Sequence, residues 1–419
     1  MTSTVILGAG IIGVSTAYYL SDHQPPSSIH LVDPSPELFA SASGFAGGFV
    51  AKDWYAPDVS ELGALSFEEH RRLAEAKGGR EKWGYSPSTS ISYAPPSGDG
   101  RTSRRRGDEW LRQGSSRAET ATVSVDDTEG RAAPAWLRRA AGDRVERISE
   151  DGTTAQVDPL RLSRFLLQEC LDRGVQLHHP ATALRVHTDA RGELASVRIA
   201  DSGSSTETDV PCTRLIVAAG VWTPRVFASL FPSSTLRIPI TSLAGHSLVV
   251  ESPRWTRELE AAGCHAVFTS RAEGYAPELF SWIGGGIYIA GVNSSTTPVP
   301  EVAGSSKHDP EALARLRQTA KELLGPAAGG EGDNDDIKVI REGLCFRPVS
   351  SSGKPIISRV EDKDLGAGIK TRPGADGGVF VVGGHGPWGI SLSLGTGVVA
   401  AELVQGRTLS ADVSGLALH

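Results

Sequence analysis

Paired cysteines, long apolar runs and an excess of basic charge are all missing from this chain. Its 4 cysteines, Cys170, Cys212, Cys264 and Cys345, nowhere adopt a C-x-x-C spacing. Neither a disulfide framework nor a structural zinc knot is therefore expected, and no metal is expected either. No apolar run nears the ~20 residues that a membrane helix needs, so no transmembrane segment is expected. No charged leader precedes the apolar run Val5-Ile6-Leu7. The C-terminal Leu416-Ala417-Leu418-His419 does not match a peroxisomal address. A cytoplasmic protein with reduced thiols is expected, and peripheral association with endosomes is compatible with that. The formal net charge of -7 gives no basic footprint for nucleic acid. The one dense basic run, Arg101 with Arg104, Arg105 and Arg106, lies in a Ser-, Gly-, Arg- and Asp-rich stretch from Pro95 to about Arg131. That stretch reads as a mobile surface insertion without chemistry.

At 419 residues the chain is long enough for two domains. Thr4 to Leu7 reads as a buried strand, followed by a glycine turn, a helix from about Ile11 to Leu20 and a second strand, Ile29 to Val32. Further along, Leu62 to Ala76 has helical periodicity. Asp158-Pro159-Leu160 opens a helix that Gly174 stops, with proline in its first turn. Leu215 to Ala219 and Val379 to Val382 are wholly apolar, as buried parallel strands are. Between them, Ile238 to Val292 alternates like antiparallel sheet, and Pro310 to Leu324 is helical. The pattern predicts an α/β fold in which a Rossmann-like domain is assembled from residues 1–75, 152–230 and 340–419. An antiparallel-sheet (α+β) substrate domain, 76–151 and 231–339, is inserted into it.

The spacing Gly8-x-Gly10-x-x-Gly13 follows the first strand and opens the first helix. The first glycine makes the tight turn, the second lets backbone approach a pyrophosphate, and the third lets the helix pack on its strand. Free N–H groups at the helix start then meet the phosphates. Asp33, twenty residues after Gly13 at the end of the second strand, is placed to accept from ribose hydroxyls. This context points to a dinucleotide and leaves FAD and NAD both open.

Four more segments bear on that choice: Ser41-x-Ser43-Gly44-x-x-Gly47-Gly48, Val157-Asp158-Pro159, Ala218-Ala219-Gly220-Val221-Trp222 and Gly384-His385-Gly386-x-x-Gly389. With the N-terminal fingerprint they resemble the D-amino-acid-oxidase-like (DAO) flavoproteins, which include glycine oxidase, sarcosine oxidase and D-amino acid dehydrogenases. The likeness covers nearly the whole chain outside Pro95 to Arg131. The run Glu81-Lys82-Trp83-Gly84-Tyr85 looks closest to fungal members known only as oxidoreductases. The resemblance implies FAD, with Gly8, Gly10, Gly13 and Asp33 on its ADP half and Ser41, Ser43, Gly44, Gly47 and Gly48 beside the ribityl chain and ring. Gly220 and Trp222 would close over it, and Gly384, His385, Gly386 and Gly389 would approach the pyrimidine end. The same likeness adds Ile11, Ile12, Val186, Ala219 and Ile390 to the cofactor set.

The reaction implied is hydride transfer from a carbon bearing nitrogen to flavin N5, with water hydrolysing the imine. The substrate would be a small amine or amino acid, and oxygen or another acceptor would take the electrons. Arg347, in Cys345-Phe346-Arg347-Pro348, matches the arginine that grips the substrate carboxylate in glycine oxidase; the plainer reading is a structural ion pair. Lys52 follows the Gly47-Gly48 segment, where a cation would favour oxygen reduction, although a lone lysine is usually solvated. Trp388 stands where sarcosine oxidases carry a lysine, and is expected to wall the pocket with an aromatic face. Cys345 aligns with a cysteine that carries covalent flavin in those enzymes, so noncovalent FAD is the expectation and a Cys345 link the alternative. His385 is either a cofactor contact or mere packing. Ser350-Ser351-Ser352-Gly353 departs from the commoner Thr-x-Asp-Gly. That departure and the long insertion keep a flavin-binding trafficking or regulatory protein as the rival reading, with an NAD enzyme third.

Overall fold

A computed structural model describes residues 2–94, 116–127, 131–269, 275–325 and 336–418. The basic run at Arg101 to Arg106 and most of the expected insertion lie outside the described residues. A six-stranded sheet orders Ile356–Val360, Gly378–Gly383, Arg214–Val217, Thr4–Leu7, Ile29–Val32 and Gln176–His178 side by side. All neighbours are parallel except the edge strand Ile356–Val360. Parallel strands are covered on both faces, which is why the central ones are largely apolar, as in Val5-Ile6-Leu7 and Leu215-Ile216-Val217. The helix Ile11–Leu20 is buried almost throughout and packs against Ser393–Val404. Small residues let the two approach: a Cβ at Gly397 would come 2.8 Å from the Ser15 backbone.

The helix Pro159–Arg173 starts where its sequence signals say. Asp158 Oδ1 accepts from the Leu160 and Arg161 N–H groups, and Gly174 ends the helix in the left-handed region. Side-chain capping of this kind satisfies donors that have no partner inside the helix. A three-stranded antiparallel sheet, Ala181–Thr188, Leu194–Asp201 and Glu207–Pro211, flanks the parallel one.

The second layer is a ten-stranded mixed sheet among the described residues. Its core runs Lys338–Ser350, Ile240–Glu251, Gly286–Ser294, Glu278–Ser281, Cys264–Thr269 and Ser86–Ala94. These pairs are antiparallel up to Cys264–Thr269, which lies parallel to Ser86–Ala94. The strand Lys338–Ser350 belongs to this sheet, whereas the sequence reading put residues from 340 onward with the nucleotide domain. Twelve of its residues pair with Ile240–Glu251, a long-range match that no local pattern announces. No helix among the described residues is long and apolar enough to cross a membrane.

Candidate active site

The C-terminal ends of the parallel strands face the large sheet across a cavity of about 460 Å³. Leu7, Val32, Ala218 and Val382 contribute from the first side, and Glu278, Phe280, Tyr288 and Arg347 from the second. Ligands of open α/β sheets bind at such strand ends.

At one end the glycine turn supplies backbone alone. Gly8 has φ +107°, and a Cβ there would come 2.5 Å from the Ala218 carbonyl oxygen. A Cβ at Gly13 would sit 1.9 Å from Gly8 O, so that position packs the helix on the turn and does not line the cavity. The Ile11 N–H donates to Ser43 Oγ (2.9 Å), tying the small-residue segment to the helix start. Asp33 Oδ2 accepts from the Ala9 N–H and Oδ1 from the Ser35 N–H, both at 2.9 Å. The carboxylate is thus fixed at the cavity wall with acceptor capacity to spare.

The middle of the cavity is roofed by chain from the inserted sheet. Trp222 Nε1 donates to Pro300 O (2.8 Å), and Arg225 donates to Glu301 O. Glu301, Val302 and Ala303 line the cavity there. Ser41 Oγ accepts from the Phe346 N–H (3.3 Å), joining the two layers. Gly48 has φ +77° and its position tolerates no side chain, since a Cβ would lie 1.9 Å from Val157 O. Gly47 O accepts from Trp282 Nε1 (2.8 Å) and Gln156 Nε2 (3.1 Å).

Whether FAD suits these residues can be judged from three features. The cavity wall at Gly220 and Gly386 offers open space where a Cβ would stand. His385 lines the cavity with Nε2 against Thr396 Oγ1 (3.0 Å), while its buried Nδ1 has no partner among the described residues. Burial pulls the pKa of this imidazole down to about 3, so it is neutral, and its Nδ1 awaits a polar group. Together with the glycine turn that lines the cavity with backbone alone, these features fit a dinucleotide carrying a polar ring.

At the other end three charges meet. Arg117 and Glu278 form a two-point fork, Nε to Oε1 at 3.0 Å and Nη2 to Oε2 at 3.0 Å. Their side chains are only 8% and 12% exposed, so this is a buried pair. The Arg117 guanidinium also lies over the rings of Trp388 (4.9 Å), Phe49 (5.9 Å) and Phe268 (6.0 Å). Burial lowers its pKa, with the Arg347 cation adding to that and Glu278 opposing it. Arg347 Nη1 donates to Asn293 Oδ1 (2.8 Å). Its guanidinium lies across Gly245, where a Cβ would be 2.2 Å from Nη1. Tyr288 donates to Phe45 O (3.3 Å) between the two arginines' territories, and its burial raises its pKa.

Of the residues singled out in the sequence, Gly8, Gly10, Ile11, Ile12, Asp33, Ser41, Ser43, Gly47, Gly48, Ala219, Gly220, Trp222, Cys345, Arg347, His385, Gly386, Gly389 and Ile390 line this cavity. Others do not. Gly44 closes on the Phe39 carbonyl and Gly384 turns against Ser350. Val186 pairs with Val197 on the three-stranded sheet and packs into that core. Lys52 stands at the surface, 43% exposed and 3.4 Å from Glu68, so it is not the cation of the cavity. Trp388 is one layer back, behind Arg117. Arg117 itself falls in the stretch read as an insertion without chemistry; it is instead buried at the centre of the charged end. Nothing local to Arg117 signals this. Glu278 did carry a signal, as a lone acid opening an otherwise apolar strand.

A family model described as FAD dependent oxidoreductase (DAO) matches residues 3–403. A provisionally named oxidoreductase of Schizosaccharomyces pombe, C1F5.03c, is 24% identical over 429 residues, 98% of this chain and 96% of that protein. The crystal structure of glycine oxidase from Geobacillus kaustophilus superposes with a TM-score of 0.72 at 16% identity, covering 100% of this chain and 98% of that one. L-proline dehydrogenase from P. horikoshii gives a TM-score of 0.72 at 13% identity, covering 99% and 96%. At such identities the two structures establish a shared fold.

Proposed function

We propose that this chain, which belongs to the DAO family of FAD dependent oxidoreductases, oxidises the C–N bond of an amine that carries a carboxylate. The observation that carries this reading is the charge balance at the end of the cavity away from the glycine turn: two guanidinium groups, Arg117 and Arg347, face one carboxylate, Glu278. A buried charge without a counter-ion is costly, so this end of the cavity, with one cation in excess, is suited to an anionic ligand. Among the described residues the Arg347 side chain donates to the neutral Asn293 amide, and its planar fork matches a carboxylate. The fold shared with an oxidase of glycine and a dehydrogenase of L-proline supports an amino-acid substrate.

Bound in the cavity, FAD supplies the two-electron acceptor, held noncovalently in this reading. The residues of the chain do the rest. Arg347 anchors the carboxylate and so fixes the reacting carbon, which is the orienting part of catalysis. The excess positive charge favours the anionic form of the amino acid, whose nitrogen is neutral and has a lone pair to form the C=N bond as C–H breaks. Phe49, Phe280 and Tyr288 wall the site and keep water from it until the imine leaves. The Ser350-Ser351-Ser352 departure lies outside the cavity lining, so it does not bear on the substrate contacts.

The test is anaerobic challenge of the purified yellow protein with a panel of D- and L-amino acids and N-substituted glycines. Bleaching by carboxylated amines, and none by the matching amines without a carboxylate, is expected. A flavin bleached equally by both sets would overturn the reading.

A further inference from the structure

We infer that Glu278 is the group that receives the substrate nitrogen, making the buried Arg117–Glu278 pair the element that selects amino acids over plain carboxylic acids. This deepens the reading above and rests on it.

Glu278 Oε2 accepts from Arg117 Nη2, whereas the buried Oε1 lies 3.0 Å from Arg117 Nε within the ion pair without accepting a hydrogen bond from it, and each carboxylate oxygen has two lone pairs. Glu278 nevertheless lines the cavity, so its remaining acceptor capacity faces the ligand space. Arg117 lines it too, but its guanidinium is held by three aromatic rings and by the ion pair, an arrangement that keeps Glu278 in one orientation. A buried carboxylate that lines the cavity and is held by a neighbouring guanidinium is a built acceptor for N–H groups, and charge-assisted bonds of this kind are about twice as strong as neutral ones.

The placement suits a bifunctional ligand. Arg347's guanidinium lies against Gly245 of the strand Ile240–Glu251, and Glu278 lies on the strand Glu278–Ser281. Only Gly286–Ser294 runs between them, so the two backbones are roughly 10 Å apart at ~4.8 Å per strand. Both side chains project into the same cavity from there, one a cation and the other an anion. An amino acid presents the complementary pair, a carboxylate and a nitrogen one carbon away. The nitrogen would be turned to Glu278 while its lone pair stays available to the breaking C–H bond. A carboxylic acid without nitrogen satisfies Arg347 but leaves Glu278 with desolvated lone pairs, which costs affinity.

The test uses the FAD-loaded full chain and reads binding from the perturbation of its visible spectrum under anaerobic conditions. D-Alanine is paired with isobutyrate and L-proline with cyclopentanecarboxylate, so that each pair differs by nitrogen against carbon. In the wild type the amino acid is expected to bind at least tenfold tighter than its carbon analogue. Glu278→Gln should reduce that ratio to below threefold while leaving the affinity of the carbon acid within threefold of wild type. Glu278→Asp, which keeps a charge for the arginines but withdraws it by one methylene, should reduce the ratio as well and serves if the glutamine variant loses its fold. An unchanged ratio in either folded variant overturns the inference. If neither member of either pair perturbs the wild-type flavin, the carboxylate reading of the site fails and takes this inference with it.

Discussion

Removing the two members of the Arg117–Glu278 pair should have unequal effects on stability, and the inequality follows from the third charge. Breaking a buried ion pair by truncating one partner typically costs about 3–5 kcal/mol, because the survivor is left uncompensated. Glu278→Leu removes the carboxylate that faces the two buried cations, Arg117 and Arg347. The full cost is expected, because the repulsion between the two cations, present in the wild type too, is no longer offset by the carboxylate. Arg117→Met leaves Glu278 within the field of Arg347, which remains as a partner. Methionine also keeps much of the packing on Trp388, Phe49 and Phe268. The glutamate variant should therefore lose about 5 kcal/mol and the arginine variant about 2–3 kcal/mol. The double variant, with its single remaining cation, should lose less than the sum of the two, as coupled neighbours do. Urea unfolding followed by circular dichroism at a fixed excess of FAD would measure all three, with unchanged slope as the control. An arginine variant as destabilised as the glutamate variant, or an additive double, would refute the triad.

Other consequences are open to measurement. Arg347→Met should raise KM for a carboxylated substrate more than tenfold, ~1.4 kcal/mol or more of binding, with flavin content unchanged; an unaltered KM would remove Arg347 from the substrate site. Gly48→Ala forces a Cβ to 1.9 Å from Val157 O at φ +77°, so the purified variant should be colourless or insoluble, and a fully flavinylated, stable variant would contradict this geometry. All flavin colour should separate from the denatured polypeptide on a desalting column; colour that stays with the chain, and is lost in Cys345→Ala, would show a covalent link. Burial lowers the pKa of His70 to about 4 and of His385 to about 3, against ~6.5 in the unfolded chain. Below pH ~6.5 the unfolded state takes up protons that the folded state refuses, so stability falls from there towards pH ~4, by up to ~1.4 kcal/mol per pH unit for each histidine, and is flat above. His70→Gln, which keeps a donor for the Ile390 carbonyl, should make the urea midpoint less steep across that window, and an unchanged slope would refute the assignment.

The nucleotide half of the site is legible in the residues because it is built from local geometry. Gly8 must be glycine to turn where it does, Asp158 must carry an oxygen to cap its helix, and the apolar runs of the parallel strands reflect burial on both faces. Such requirements act within a few residues, so spacing alone reveals them, and the family resemblance follows from their order. Gly384 and Gly44 show the limit even here: glycines near the cavity also serve turns and close packing, and spacing does not separate the two uses.

The charged end was decided by tertiary structure. Lys52 follows a cofactor segment directly in sequence yet points to Glu68 at the surface. Arg117 and Glu278 lie 161 residues apart and meet because the turn Arg117–Thr120 packs against the strand Cys264–Thr269, which pairs with Glu278–Ser281. Arg347 belongs to the same wall because its strand pairs across the large sheet, over Gly245, where the absence of a side chain makes room for the guanidinium. Sequence by itself determined the fold family and the cradle for the dinucleotide, since steric and hydrogen-bonding demands there are short-range. Which charges face the ligand was determined by long-range strand pairing and burial, because a charge acquires its counter-ion, its dielectric surroundings and its direction only once distant segments have been brought together.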